Sequence, residues 1–188
     1  MNITVVLTTY NLGAGALSVW LPVLADRTLG GDAGLYGGLL ACMAAGEIAA
    51  SLGAGRWRPP LSLGTLICLS QVGAGLALLG VLAAAHAGAG VPAVGAALFL
   101  WGMATAPLTI WAQTLRMRII PEALRGRAFA LLRTIMQGGR PLGALAAGYL
   151  LPLAGVGAMI ALSALLAGAP GLAGSRVRAL REAGRPGD

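Results

Sequence analysis

Apolar residues run along this chain in long unbroken blocks, and polar residues collect between them. Six blocks reach the roughly 20 residues that a helix needs to cross a bilayer. They cover 3–25, 34–55, 61–85, 91–113, 128–151 and 153–172, and a basic tail follows over 173–188. Membrane-barrel strands would be about ten residues long with alternating polarity; these blocks are continuous and longer. Lipid offers no partner to a backbone N–H or C=O, so each span must satisfy its own as helix. The expected fold class is an all-α membrane protein with six transmembrane helices over 1–172.

The connections between blocks alternate in character. The first, Asp26 to Asp32, is mixed in charge. The second carries Arg56 and Arg58, and the third, around His86 to Gly90, is neutral. The fourth carries Arg116, Arg118, Arg125 and Arg127. The fifth, Leu151-Pro152, is very short, and the tail carries Arg176, Arg178, Arg181 and Arg185. Cytoplasmic loops accumulate Arg and Lys. With ten arginines on one side and Arg27 on the other, the rule places both termini in the cytoplasm and the chain in the plasma or inner membrane.

Composition agrees. The chain is 57% hydrophobic and 10% charged, against about 25% charged in soluble domains. Its mean hydropathy is +0.82. All 13 basic residues are arginine, and the net charge is +7. In a soluble chain that balance would suggest nucleic acid. Here the arginines flank apolar spans without an aromatic-basic surface, so anionic lipid explains them better and no nucleic acid is expected. Cys42 and Cys68 both lie within spans and read as small packing residues, not as a disulfide or zinc pair. The first block has no basic n-region and is too long for a signal peptide, so an uncleaved helix is expected.

Small residues recur at four-residue steps. The second span has Gly34, Gly38, Cys42, Gly46, Ala50 and Ala54; the fifth has Gly139, Gly143 and Ala147. Such rows let membrane helices approach closely. The tryptophans, mostly near span ends, suit interfacial belts.

Ionisable groups at membrane depth are costly and mark functional candidates. Glu47 is the acid inside a span, about 20 Å from the outer start of its helix at 1.5 Å per residue. Ser51 lies one turn below it. Arg133, Gln137 and Arg140 follow at i, i+4 and i+7, on one face of the fifth span. Arg133 is shallow enough to snorkel. Arg140 lies roughly 18 Å deep and must face protein or a water-filled cavity. The depth count brings Arg140 level with Glu47 and suggests an ion pair between them; a structural pairing of Glu47 and a proton or substrate duty are both open. Asn11 beside Tyr10, Gln71 and Gln113 are milder polar positions, suited to interhelical hydrogen bonds.

Enzyme chemistry finds no footing. His86 sits in an outer connection, no HExxH or paired intramembrane aspartates occur, and a phosphate loop has no lysine to use. No metal and no cofactor is expected.

One stretch is more specific. Pro121-Glu122-Ala123-Leu124-Arg125-Gly126-Arg127 precedes a helix that carries Gln137-Gly138-Gly139-Arg140-Pro141-Leu142-Gly143 and small residues up to Gly148. This resembles the penultimate helix of major facilitator superfamily transporters, above all the drug, macrolide and siderophore exporter branches. The second span, from Tyr36-Gly37-Gly38 to Gly53-Ala54-Gly55-Arg56, resembles their eighth helix. The loop after it resembles the superfamily's loop signature without its acidic residue. The resemblance spans essentially the whole chain.

Such transporters pair two six-helix halves, and these six spans match the C-terminal half. The resemblance therefore implies a half bundle of a secondary transporter, an exporter of small molecules coupled to protons. Its partners would be the bilayer, a small-molecule substrate, and a separate N-terminal half or a second copy. The absence of basic residues ahead of the first span fits an upstream half. Glu47, Arg140, Gln137 and Asn11 are the candidates for substrate or proton coupling. Arg56, Arg125, Arg127 and Arg133 are the candidates for cytoplasmic loop or gate contacts. From a different class, the chain could be a non-transporting membrane scaffold, or a subunit inactive without the other half.

Overall fold

The computed structural model describes residues 3–54, 60–177 and 183–184. Among them the regular structure is helical throughout: α1 Ile3–Val23, α2 Ala33–Ala54, α3 Leu63–His86, α4 Gly90–Ile119 and α5 Arg125–Ser175. A π-helical turn, Leu24–Thr28, continues α1 just after Pro22, and a 3-10 turn, Glu122–Leu124, precedes α5. Local chemistry starts α2 and α3. Asp32 Oδ1 accepts from Leu35 N at 3.1 Å, and Ser62 Oγ accepts from Thr65 N at 3.2 Å. Each side chain satisfies one of the N–H groups a helix start leaves orphaned. The tail supplies two more acceptors to α3, since Leu63 N donates to Gly184 O and Gly64 N to Ala183 O.

Several boundaries differ from the sequence expectation. α4 runs to Ile119 and not to 113, so Arg116 and Arg118 belong to its last turn, where the helix dipole favours cations. α5 starts at Arg125 and not at 128. Five helices are long and apolar enough to cross a membrane, so the expected count of six is not matched. The break expected at Leu151-Pro152 is absent. The helix passes through Pro152, and the backbone departs from helical geometry at Gly155, with φ 79° and ψ 168°. That conformation is essentially restricted to glycine, which explains why the break falls there and not at the proline.

The two arms of α5 pack in opposite senses. On the first arm, a Cβ at Gly139 would touch Thr8 O and Asn11, and one at Gly143 would run into Leu12 O; both sequences ascend together. On the second arm, Gly157 lies beside His86, Gly168 against Gly75, and Gly171 against Cys68, so this arm descends along α3. The chain therefore reverses direction at Gly155.

The helices pack in the order α2–α4–α3–α5–α1. Closest approaches fall on glycine. Gly46 of α2 meets Phe99 O of α4, and Gly102 of α4 meets Met43 O of α2. The first-arm row Gly139, Gly143 and Ala147 is buried against α1. The α2 row is used at Cys42 and Gly46, whereas a Cβ at Gly38 would meet nothing within 4 Å. Only 17% of the apolar stretch of α2 is buried, against 50% for α3, so α2 leans on α4 and leaves most of its surface uncovered.

Three of the four tryptophans pack inside the bundle instead of facing lipid, and Trp57 lies outside the described residues. Trp20, Trp101 and Trp111 are all buried, and Trp20 Nε1 donates to Ser163 Oγ at 3.0 Å. Gln71 makes the interhelical bond expected of it: fully buried, it donates from Nε2 to Val6 O at 2.7 Å.

Candidate functional site

A cleft of about 840 Å³ separates the α2–α4 pair from α1 and the first arm of α5. It is lined by the early part of α1, the late parts of α2 and α4, and the opening turns of α5. It therefore occupies the end of the bundle where Arg116, Arg118, Arg125 and Arg127 gather. At its inner end Tyr10 and Trp101 stack with ring centroids 6.3 Å apart and planes 17° from parallel. This stack bridges α1 and α4, which otherwise touch little.

Polar side chains reach the cleft from all four walls. Asn11 comes from α1, Glu47 and Ser51 from α2, Gln137 and Arg140 from α5, and Thr105, Thr109, Gln113 and Arg116 from α4. All four residues expected in coupling or substrate roles thus line one cavity, although they derive from three helices. Their azimuths explain this. On α5 the i, i+4, i+7 spacing puts Arg133, Gln137 and Arg140 on one face, and the small row Gly139, Gly143 and Ala147 turns a different face toward α1.

The anticipated Glu47–Arg140 ion pair is not formed. Arg140 Nε instead donates to Asn11 Oδ1 at 3.1 Å. Asn11 is itself oriented, because its Nδ2 donates to Leu7 O one turn earlier at 2.8 Å. A side-chain amide whose NH₂ is engaged by a carbonyl must turn its oxygen the other way, toward Arg140. Glu47 has no ion-pair partner among the described residues; the ion pair found there is Arg125 Nη1 to Glu122 Oε1, 3.6 Å. Depth counting placed Glu47 and Arg140 at similar height but carried no information about which side chain lies nearest.

The four residues expected at the cytoplasmic gate separate. Arg133 lines the cleft. Arg125 closes the α4–α5 corner, donating from Nε to Ile120 O and from Nη2 to Met117 O, both at 3.3 Å. It thereby satisfies carbonyls that the end of α4 leaves open. Arg127 is exposed and is not among the cleft residues. Arg56 lies outside the described residues.

Sequence reasoning missed Arg116, which it treated as a topology mark. In the fold Arg116 is half-buried and lines the cleft, with Nη1 to Gln113 Oε1 at 3.4 Å and Nη2 to Met136 Sδ at 3.0 Å. A signal was available. Thr105, Thr109, Gln113 and Arg116 are spaced 4, 4 and 3 apart, a polar stripe down one face of a helix whose other polar side chains are Thr114 and Arg118 near its end. Pro141 also acts on the site, since it withholds the N–H that would bond the Gln137 carbonyl.

The family described as transmembrane secretion effector matches residues 2–184 of the chain. No curated protein and no solved structure matches it.

Proposed function

Because the chain belongs to the transmembrane secretion effector family, within the major facilitator superfamily, it is a multi-pass membrane protein of transporter type, and we propose that it forms one six-helix wall of a proton-coupled exporter of small molecules. The observation that carries this reading is the cleft itself, where Asn11, Glu47, Gln137 and Arg140 converge from three helices. Ionisable groups at membrane depth that face a cavity are the usual marks of a substrate or ion pathway. The reversal at Gly155 supports counting α5 as two crossings, at 125–154 and 156–175. Counted as six crossings with the arginine clusters inside, the chain would have both termini in the cytoplasm of the plasma or inner membrane, and the cleft would then face the cytoplasm. Glu47 is the group proposed to exchange protons; Asn11, Gln137 and Arg140 hold the substrate. Arg125 and Arg127 would keep the inner loop at the headgroups.

The sparse cover on α2 supports a second six-helix bundle as the opposite wall, with transport by rocking of the two about the cleft, as the superfamily implies. The alternative is a bundle without transport of its own, active only as a subunit. Both are tested in proteoliposomes carrying the chain alone or co-expressed with an N-terminal six-helix half. Fluorescent amphiphiles are loaded and their movement is followed under an imposed pH gradient. Gradient-driven movement in either preparation supports the transporter. Movement equal to protein-free vesicles in both would end that reading.

A further inference from the structure

The charge in the cleft is lopsided. Arg116, Arg133 and Arg140 line it against Glu47. None of the three guanidinium groups has an ion-pair partner among the described residues. Those with partners hold neutral ones. Arg140 spends Nε on the Asn11 amide oxygen, and both terminal nitrogens of its fork are without a protein acceptor among the described residues. Arg116 is held by the Gln113 amide oxygen and the Met136 thioether. Neutral acceptors orient a guanidinium without cancelling its charge. Arg133 and Arg140 are exposed and Arg116 is half-buried, so their charges are open to an incoming anion, and a guanidinium fork fits a carboxylate, sulfonate or phosphate.

The rest of the wall is apolar. Leu7, Leu108, Phe129 and the stacked Tyr10–Trp101 pair face the same space. A volume of about 840 Å³ lies within the range of pockets for drug-sized ligands. We infer that the cleft takes an amphipathic organic anion: an acidic head at Arg140 and Arg116, and an apolar or aromatic body along the ring stack. This rests on the transporter reading above and names its substrate class. An anionic phospholipid headgroup offers the same chemistry as a free solute, so the two sources must be separated experimentally.

The test uses dansylglycine and dansylcadaverine, one fluorophore with opposite charges. The full chain is placed in phosphatidylcholine nanodiscs, and energy transfer from tryptophan to dansyl reads binding against protein-free discs. The anion should bind at least about tenfold tighter than the cation. Arg140→Gln should weaken dansylglycine about tenfold and leave dansylcadaverine unchanged or improved. Arg133→Gln, at an exposed position, should act in the same sense, and Glu47→Gln should strengthen the anion. Phosphatidylglycerol that displaces dansylglycine assigns the site to a lipid headgroup; indifference to it assigns a free anion. Equal or tighter binding of the cation, binding of neither dye, or an unchanged ratio in both arginine variants would each overturn the inference. The two readings fail separately. Vesicle transport that survives with a cation preference ends only this one, and anion binding without any transport ends only the exporter.

Discussion

Arg140 and Asn11 are joined across the α1–α5 contact by a hydrogen bond of 3.1 Å, from the guanidinium Nε to the amide oxygen. The Leu7 carbonyl, which accepts from Asn11 Nδ2, fixes which way that amide points. Asn11 therefore aims the arginine without neutralising it. Replacing Asn11 with Ala should leave the bundle folded and weaken dansylglycine binding by roughly tenfold, the worth of a hydrogen bond to a charged group. Replacing it with Asp gives up the bond to Leu7 O, since a carboxylate has no N–H to donate, but keeps an acceptor for Arg140 and adds a counter-charge, so anion binding should fall at least as far. Anion affinity unchanged in both variants would show that the contact has no part in the site.

Close helix approach makes a second prediction. A Cβ at Gly143 would run into the Leu12 backbone, while one at Gly148, on the same arm, meets no atom within 4 Å. Gly143→Leu should therefore destabilise the bundle by about 1–3 kcal/mol, and Gly148→Leu should be near neutral. Unfolding in mixed micelles, read by tryptophan fluorescence, distinguishes the two.

Gln71 is fully buried, and its Oε1 has no partner in the described structure. Gln71→Leu removes one bond to Val6 O together with that orphaned acceptor, so the net change should stay within about 1 kcal/mol, in line with the roughly 0.6 kcal/mol typical of such bonds in membranes. Gln71→Ala leaves a cavity beside Gly171 and should cost about 2 kcal/mol or more. Equal losses in the same unfolding assay would mean that the hydrogen bond, and not the packing, holds this contact.

The reversal at Gly155 bears on topology. If α5 crosses twice, Ala154 lies at the outer surface. A cysteine at Ala154, with Cys42 and Cys68 changed to Ala, should react with a membrane-impermeant maleimide added to intact cells. Protection there, with labelling only after disruption, would favour a single crossing.

Glu47 carries the proposed proton coupling. In the proteoliposome assay, Glu47→Gln should abolish stimulation by a pH gradient while leaving gradient-independent exchange within about threefold of the parent, since general acid–base steps need a titrating group at that site. Intact stimulation would remove Glu47 from the coupling step.

The cleft was legible in part. Helical spacing alone put Arg133, Gln137 and Arg140 on one face, and depth alone singled out Glu47 and Arg140. Asn11 stood out as an amide within an apolar span. Arg116 went unnoticed because its helix extends to Ile119; a residue taken for loop is not assigned a face. The tryptophans misled for a related reason. Interfacial preference depends on position along the membrane normal, whereas Trp20 and Trp101 are buried by lateral packing against neighbouring helices.

Hydrophobic length and arginine placement by themselves determined an all-helical membrane chain, because a backbone in lipid can satisfy itself in few other ways. They also yield a depth for each polar residue, since helical rise is constant. Depth is one coordinate of three. Which residues meet depends on the lateral order of the helices and on their rotation, and those are set by backbone contact at positions such as Gly46, Gly102 and Gly143. Tertiary structure alone therefore decided that Arg140 meets Asn11 and not Glu47, that the break falls at Gly155 and not at Pro152, and that three arginines share a cleft with one glutamate.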